Sequence, residues 1–288
     1  MLQLSTTIAG LIGGGAYALL GLCTLLTYKL VSVVNFTQTT VGALGAYVMV
    51  ILYEHGLPVA FAVFVGLAAG AAAHGVIGFL MVRFLAEGSE EVKAAVTITL
   101  FTTMLGLGGL LFGVSHPHTF PDPLDHPAFT AGGVTVVWTV VFMIGLAVLF
   151  TVVPILLLGR TRTGLMLRAL AARPTTAQLI GVPAPRLAML VWMATGALTA
   201  LAIMVIAPTT SNDYQSLSLL ITWALAAALI GAFRSFWGTL FGGLALGALQ
   251  GLVSSFESLN VYRGVIPLVA IVLVLLWSQR HARWDAAV

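Results

Sequence analysis

"GRTRTGLMLRALAARPTTAQLIGVPAPRL", residues 159–187, is the longest interval between the apolar runs of this 288-residue chain, and positive charge gathers in it. It carries Arg160, Arg162, Arg168, Arg173 and Arg186, five of the twelve Lys and Arg residues, and no acidic residue. In a membrane protein such a loop belongs inside, because translocating Lys and Arg across the bilayer is disfavoured. Two short helices can be read in it. One runs from Gly164 to Ala172; the other starts at Pro174, acceptable at a first helical position, and stops at Gly181. A helix of under ~12 residues is marginal in water, so both need a docked partner or the membrane underside to hold them. The stretch reads as a cytoplasmic platform for another protein.

The rest of the chain explains why a platform is there. Apolar residues make up 60% and charged residues only 7%, against about 25% charged in a water-soluble domain. This is the composition of an all-α integral membrane protein. The opening "MLQLSTT" has no Lys or Arg, which argues against a cleaved signal peptide and predicts a retained N-terminus. The net charge of +3 comes from residues at span ends, where anionic lipid headgroups are the natural counterpart, and nucleic acid is not implied. The single Cys23 excludes an internal disulfide and reads as a packing residue.

A ruler of about 20 apolar residues, ~17 at the short limit, cuts the chain into about nine spans, eight to ten in all. They fall at 6–28, 31–53, 59–82, 94–114, 134–158, 187–207, 217–233, 237–256 and 264–279 of a single transmembrane domain, 1–288. The seventh is short and runs into "GAFRSFWG", which predicts a broken or re-entrant segment. With the N-terminus outside and the C-terminus inside, Lys29, Arg83, Lys93, the five platform arginines, Arg234, Arg280 and Arg283 fall inside, leaving Arg263 outside. The loop 115–133 then faces outward. Its His116, His118, Asp122, Asp125 and His126 sit among prolines that hold the segment extended, so it reads as a polar loop rather than a metal site.

Within the spans, Gly10 and Gly14, Gly66 and Gly70, and the series Gly243, Gly247 and Gly251 repeat at spacing four, with Gly238 and Gly242 as a further pair. Lipid tails give helices no hydrophobic drive to associate, so such residues mark close helix contacts. The second span is different: it opens with Asn35, Phe36, Thr37, Gln38, Thr39 and Thr40 between apolar flanks. Polar groups at that depth face the bundle or a water-filled path and suggest a discontinuous helix. Asn35 and Gln38, three apart, would share a helical face. Lining a solute path and gluing helices together are the two readings of this cluster. His74 lies nine residues before Arg83, ~13 Å up its helix and near the midplane, where ionisable groups are functional candidates. It has no acidic partner in a neighbouring span, so a neutral, hydrogen-bonded histidine is its other reading.

Two absences narrow the class. Only two lysines exist, neither in a GxxxxGK[ST] phosphate loop, so the chain does not bind ATP in that way. No HExxH, GxSxG or paired intramembrane carboxylates suggest a membrane hydrolase.

The residues resemble a family. "GGGAYALLGLCTLLTYKLVSVVNFTQ" (13–38), "TRTGLMLRALAARPTTAQLIGV" (161–182) and "IGAFRSFWGTLFGGLALGALQ" (230–250) are similar, nearly end to end, to the shorter permease subunit of bacterial branched-chain amino acid ABC importers. The resemblance implies a non-enzymatic permease of the bacterial cytoplasmic membrane, working by alternating access. ATP and Mg would sit on separate ABC ATPase subunits, with no cofactor in this chain. A second permease, in a heterodimer or homodimer, and an extracytoplasmic solute-binding protein would complete the machine. It assigns ATPase coupling to Gly164, Arg168, Ala169, Pro174, Ala177, Leu179 and Gly181, and leaves Asn35, Phe36, Thr37, Gln38 and His74 as candidates for the path. The chain departs from the family where Asn-Phe-Ala-His-Gly is usual, reading Asn35-Phe36-Thr37-Gln38-Thr39, and in lacking acidic residues beside Pro174. Urea, an amide or another small polar solute is therefore an alternative cargo. An ion-coupled secondary transporter would have only His74 to work with.

Overall fold

A computed structural model describes residues 2–85, 88–113, 118–131, 134–210 and 213–285. The helices are α1 (Leu2–Val31), α2 (Gln38–Glu54), α3 (Val59–Phe84), α4 (Glu90–Phe112), α5 (Trp138–Arg160), α6 (Arg162–Ala172), α7 (Pro174–Leu179) and α8 (Ala184–Ile206). They continue with α9 (Tyr214–Ser218), α10 (Ile221–Ile230), α11 (Phe236–Ser254), α12 (Glu257–Asn260) and α13 (Ile266–Asp285). Each of the nine expected spans overlaps a helix, but residues 32–37 of the second and 134–137 of the fifth are not helical. Six described segments, Ser5–Val31, Val59–Phe84, Glu90–Phe112, Trp138–Arg160, Ala184–Thr209 and Phe236–Ser254, are long and apolar enough to cross a membrane. The apolar stretches Tyr214–Ile230 and Arg263–Gln279 are shorter, so nine full crossings do not follow from the helices. The 17 residues of α2 rise about 25 Å, less than the ~30 Å of a hydrocarbon core. The expected break in the seventh span is present: α9 stops at Ser218, α10 starts at Ile221, and Ala232 and Phe233 then turn in the left-handed region at φ 51°.

Glycines set the packing. A Cβ on Gly247 would strike the backbone of Gly14 and come within 2.6 Å of Gly10 O, so α1 and α11 touch backbone to backbone. Gly243 meets Ala18 and Gly251 meets Thr6 in the same way. Across the bundle, α3 lies as close to α2 and α8, with Gly66 against Gly45 and Gly70 against Gly196. Cys23 is buried, as a packing residue should be.

The bundle is helical, but the start of the expected fifth span is not. Between α4 and α5 an antiparallel hairpin pairs β1 (Pro127–Ala131) with β2 (Val134–Val137), Phe129 opposite Val136 and Thr130 opposite Thr135. Residues 134–137 were assigned to the fifth span, but their burial alternates with period two, Val134 and Val136 inward, as in a half-buried strand. Of the outer-loop residues, His116 lies outside the described residues. His118 Nδ1 pairs with Glu54 Oε2 at 2.8 Å. No group of three or more His, Cys, Asp or Glu residues among the described residues is placed to hold a metal.

The platform forms two helices close to the expected ones. Thr161 caps α6, its Oγ1 accepting from Gly164 N at 2.9 Å. The sequence suggested that both helices need a docked partner or the membrane underside; α6 finds support within its own chain, where Leu170 packs on Ala184 and Leu187 of α8, with Met166, Leu167 and Val182 around them. Lys29 Nζ donates to Arg234 O at 3.1 Å and stands 5.1 Å above the Phe236 ring. A cleft of about 470 Å³ joins Lys29, Gly159, Arg168 and Phe236. The basic residues of α1, α6 and the α10–α11 turn thus gather at one end, far along the helices from the Glu54–His118 pair.

Candidate translocation path

After α1 the chain reverses through Ser32, in the left-handed region at φ 52°, and re-enters the bundle without helical structure until α2 begins at Gln38. Asn35 makes that entry possible. Its buried Oδ1 accepts from Thr37 N at 3.0 Å and Thr37 Oγ1 at 2.6 Å, a local turn that a short amide side chain favours. Thr97 of α4 donates to the carbonyl of Val34 at 3.0 Å, satisfying a backbone group that the broken helix leaves free.

From this entry a polar seam runs through the bundle. Asn35 Nδ2 lies 3.1 Å from His74 Nε2 on α3. Gln38 Nε2 donates to Thr199 Oγ1 on α8 at 3.1 Å, and Thr199 Oγ1 in turn donates to Thr195 O at 2.6 Å. Thr39 Oγ1 donates to Ser218 O at 2.5 Å, and Tyr214 OH to Thr40 O at 3.0 Å. The break at the start of α2 therefore meets the break between α9 and α10. Non-helical backbone at membrane depth is tolerated only where protein buries it or a water-filled cavity borders it.

Asn35, Thr37, Gln38, Thr39, Thr40, His74, Thr195, Thr199 and Ser218 are all fully buried. Yet Gln38 Oε1, His74 Nδ1 and Trp192 Nε1 have no partner of ordinary geometry. The Trp192 backbone carbonyl acts on the His74 ring without closing such a bond. Buried polar atoms are paired in the great majority of cases, so three orphans around one seam require an explanation. The seam is flanked by Val33, Val41, Ile77, Met81 and Trp192, an aliphatic and aromatic cluster.

The structure brings Asn35, Thr37, Gln38 and His74 together, but not as spacing predicted. Asn35 precedes α2 rather than sharing a helical face with Gln38, because its amide is used to start the helix. It turns to α3 while Gln38 turns to α8. Phe36 packs into the main apolar core and adds no polar group. Sequence reasoning missed Thr195, Thr199, Trp192, Tyr214 and Ser218; Thr195 and Thr199, four apart in an otherwise apolar span, were the available signal.

The platform residues differ in their surroundings. A Cβ on Gly164 would run into Leu157 O and lie 2.6 Å from Leu158 Cα, so only glycine lets α6 fold back so tightly on α5. Gly181 sits at φ 88°, a conformation that favours glycine after a helix. Ala177 is buried and its carbonyl accepts from Val182 N at 3.0 Å. Arg168 is exposed and Ala169 half-buried, Pro174 opens α7, and Leu179 is 83% exposed beside Ile180 at 74%.

These features can be set against known proteins. The fold is similar to a chain of PsaBC from Streptococcus pneumoniae in complex with Fab, with a TM-score of 0.51 and 15% identity over 95% of this chain and 89% of that one. In sequence the chain is 27% identical over 286 residues to the probable branched-chain amino acid transport permease protein LivH of Methanocaldococcus jannaschii, covering 90% of this chain and 85% of the relative. The family described as branched-chain amino acid transport system / permease component matches residues 6–275, so the chain is a multi-pass membrane protein that belongs to that permease family.

Proposed function

We propose that the chain is one permease subunit of an ATP-driven importer that carries a branched-chain or related amino acid across the cytoplasmic membrane by alternating access. The observation that carries this reading is the buried polar seam at the broken start of α2, facing His74 and Thr199, in a chain of this family. An amino acid that sheds water in the membrane must replace its hydration by other hydrogen bonds. The seam offers neutral amide, hydroxyl and imidazole groups, which can exchange such bonds without trapping a zwitterion, and the unpaired Gln38 Oε1 is available to it. The aliphatic cluster beside the seam suits an apolar side chain.

In this reading the platform end is cytoplasmic and the N-terminus is outside. Separate ATPase subunits, holding ATP and Mg, press on α6 and α7, and a second permease subunit completes the path. A solute-binding protein delivers cargo at the Glu54–His118 end. The test is uptake per inserted complex in proteoliposomes with all partners supplied. Asn35→Ala, Gln38→Ala and Thr199→Val should each lower uptake at least ~5-fold while stimulated ATP hydrolysis persists, since each leaves a polar group unpaired at ~1 to 3 kcal/mol. Normal uptake from all three would remove the seam from the path. Uptake that needs no ATP would overturn the importer class.

A further inference from the structure

At the platform end, a cleft of about 300 Å³ opens between α1, α3, α4, α6, α7 and α8, lined by Val33, Met81, Lys93, Gln178 and Ala188 among others. It stops at Trp192. We propose that Trp192 is the platform-side gate of the translocation path, its indole closing the Asn35–His74 seam off from this cleft; the proposal rests on the seam being the path.

Position comes first. The indole is fully buried and stands at 90° to the His74 ring with centroids 5.7 Å apart, so one side faces the seam while the residue also closes the cleft. Fit comes second. The ring lies against the bare backbone of Gly78, where an added Cβ would be 2.5 Å from Trp192 Cγ. The seal therefore needs both the size of indole and the absence of a side chain on α3.

Third, the indole N–H has no acceptor. A buried tryptophan in a permanent core normally places that group against one. Here the closed position is held by packing alone, with no hydrogen bond to break on opening. Water in the opened cleft, or the carboxylate of a passing amino acid, supplies the missing acceptor.

The fourth argument is mechanical. Trp192 lies eight residues into α8, about 12 Å from Ala184. Ala184 and Leu187 bind α8 to α6 through Leu170, and Leu170, Gln178 and Ala184 are themselves cleft walls. A displacement of α6 and α7 thus moves the walls of the cleft and the helix that bears the gate together.

The experiment reads closure without any solute. In the assembled complex, with Cys23→Ser and a single cysteine at Thr195→Cys, just beyond Trp192 on α8, labelling by a membrane-impermeant methanethiosulfonate is followed from each side without nucleotide. With Trp192 present, labelling from the platform side should be slow. Trp192→Ala should speed it at least 10-fold from that side only, and Trp192→Phe, which keeps the bulk, should leave it slow. Gly78→Ala, which leaves the tryptophan in the chain but pushes it from its seat, should also speed it and serves if Trp192→Ala does not assemble. Equal rates across the assembled variants, or acceleration from both sides alike, would overturn the gate. The path assignment is read separately by uptake in the Asn35 and Gln38 variants, so either idea can fail without the other.

Discussion

Asn35 and His74, 39 positions apart in the chain, share one hydrogen bond whose direction is determined. Asn35 Oδ1 accepts from the Thr37 backbone N–H, so the amide atom 3.1 Å from His74 Nε2 is the NH₂ group, and it donates. Nε2 is therefore unprotonated and the ring proton sits on Nδ1. A doubly protonated ring would set an N–H against an NH₂, so His74 is kept neutral by its neighbour.

Asn35→Asp tests this directly. The substitution keeps the size but replaces the donor facing Nε2 with a carboxylate, so the ring must shift its proton to Nε2 to close the bond and the seam holds a buried negative charge until the pair takes up one extra proton. Uptake per complex should fall at least ~5-fold at pH 7.5 and recover partly toward pH 5.5, while the wild type varies little. A flat profile for the variant would mean that the direction of this bond does not matter to transport.

Gly247 should tolerate no side chain. Its Cβ would meet the Gly14 backbone and Gly10 O, neither of which can move as a flexible side chain would. Gly247→Ala should destabilise the detergent-solubilised protein by ~1 to 3 kcal/mol or more. Gly145→Ala, where the new methyl meets nothing within 4 Å, should leave the melting temperature nearly unchanged. Similar melting of the two variants would count against backbone contact between α1 and α11.

The exposed face of the platform should be where the ATPase binds. Leu179 and Ile180 point away from their own subunit, and Arg168 stands on the neighbouring helix. Leu179→Asp and Arg168→Glu should insert and melt like the wild type yet lose ATPase co-purification or uncouple hydrolysis from uptake. Full co-purification with undiminished uptake would place the ATPase contact elsewhere.

Single cysteines at Asp125 and Thr176, both exposed, should label from opposite sides of the membrane in a Cys23→Ser background, Asp125 from outside. Labelling of both from one side would change the number of crossings between them from odd to even.

Composition alone determined that this chain is a membrane bundle and roughly where its apolar helices lie, because hydropathy acts residue by residue. The spacing of Gly10, Gly14, Gly243, Gly247 and Gly251 likewise announced close contacts, since only small residues let helices approach so nearly. The sequence did not say which helix each glycine meets. That Gly247 seats on Gly14, or Gly78 on Trp192, depends on how distant segments cross. The hairpin at 127–137 escaped notice because four residues of alternating burial are too short to stand out beside a long apolar run. The polar opening of α2 was visible, but its partners were not: Asn35 finds His74 39 positions away, and Gln38 finds Thr199 161 positions away. Hydrogen bonds between side chains are short-ranged and directional, so which pairs form, and which atoms such as Gln38 Oε1 and Trp192 Nε1 are left without one, was decided only when the helices packed.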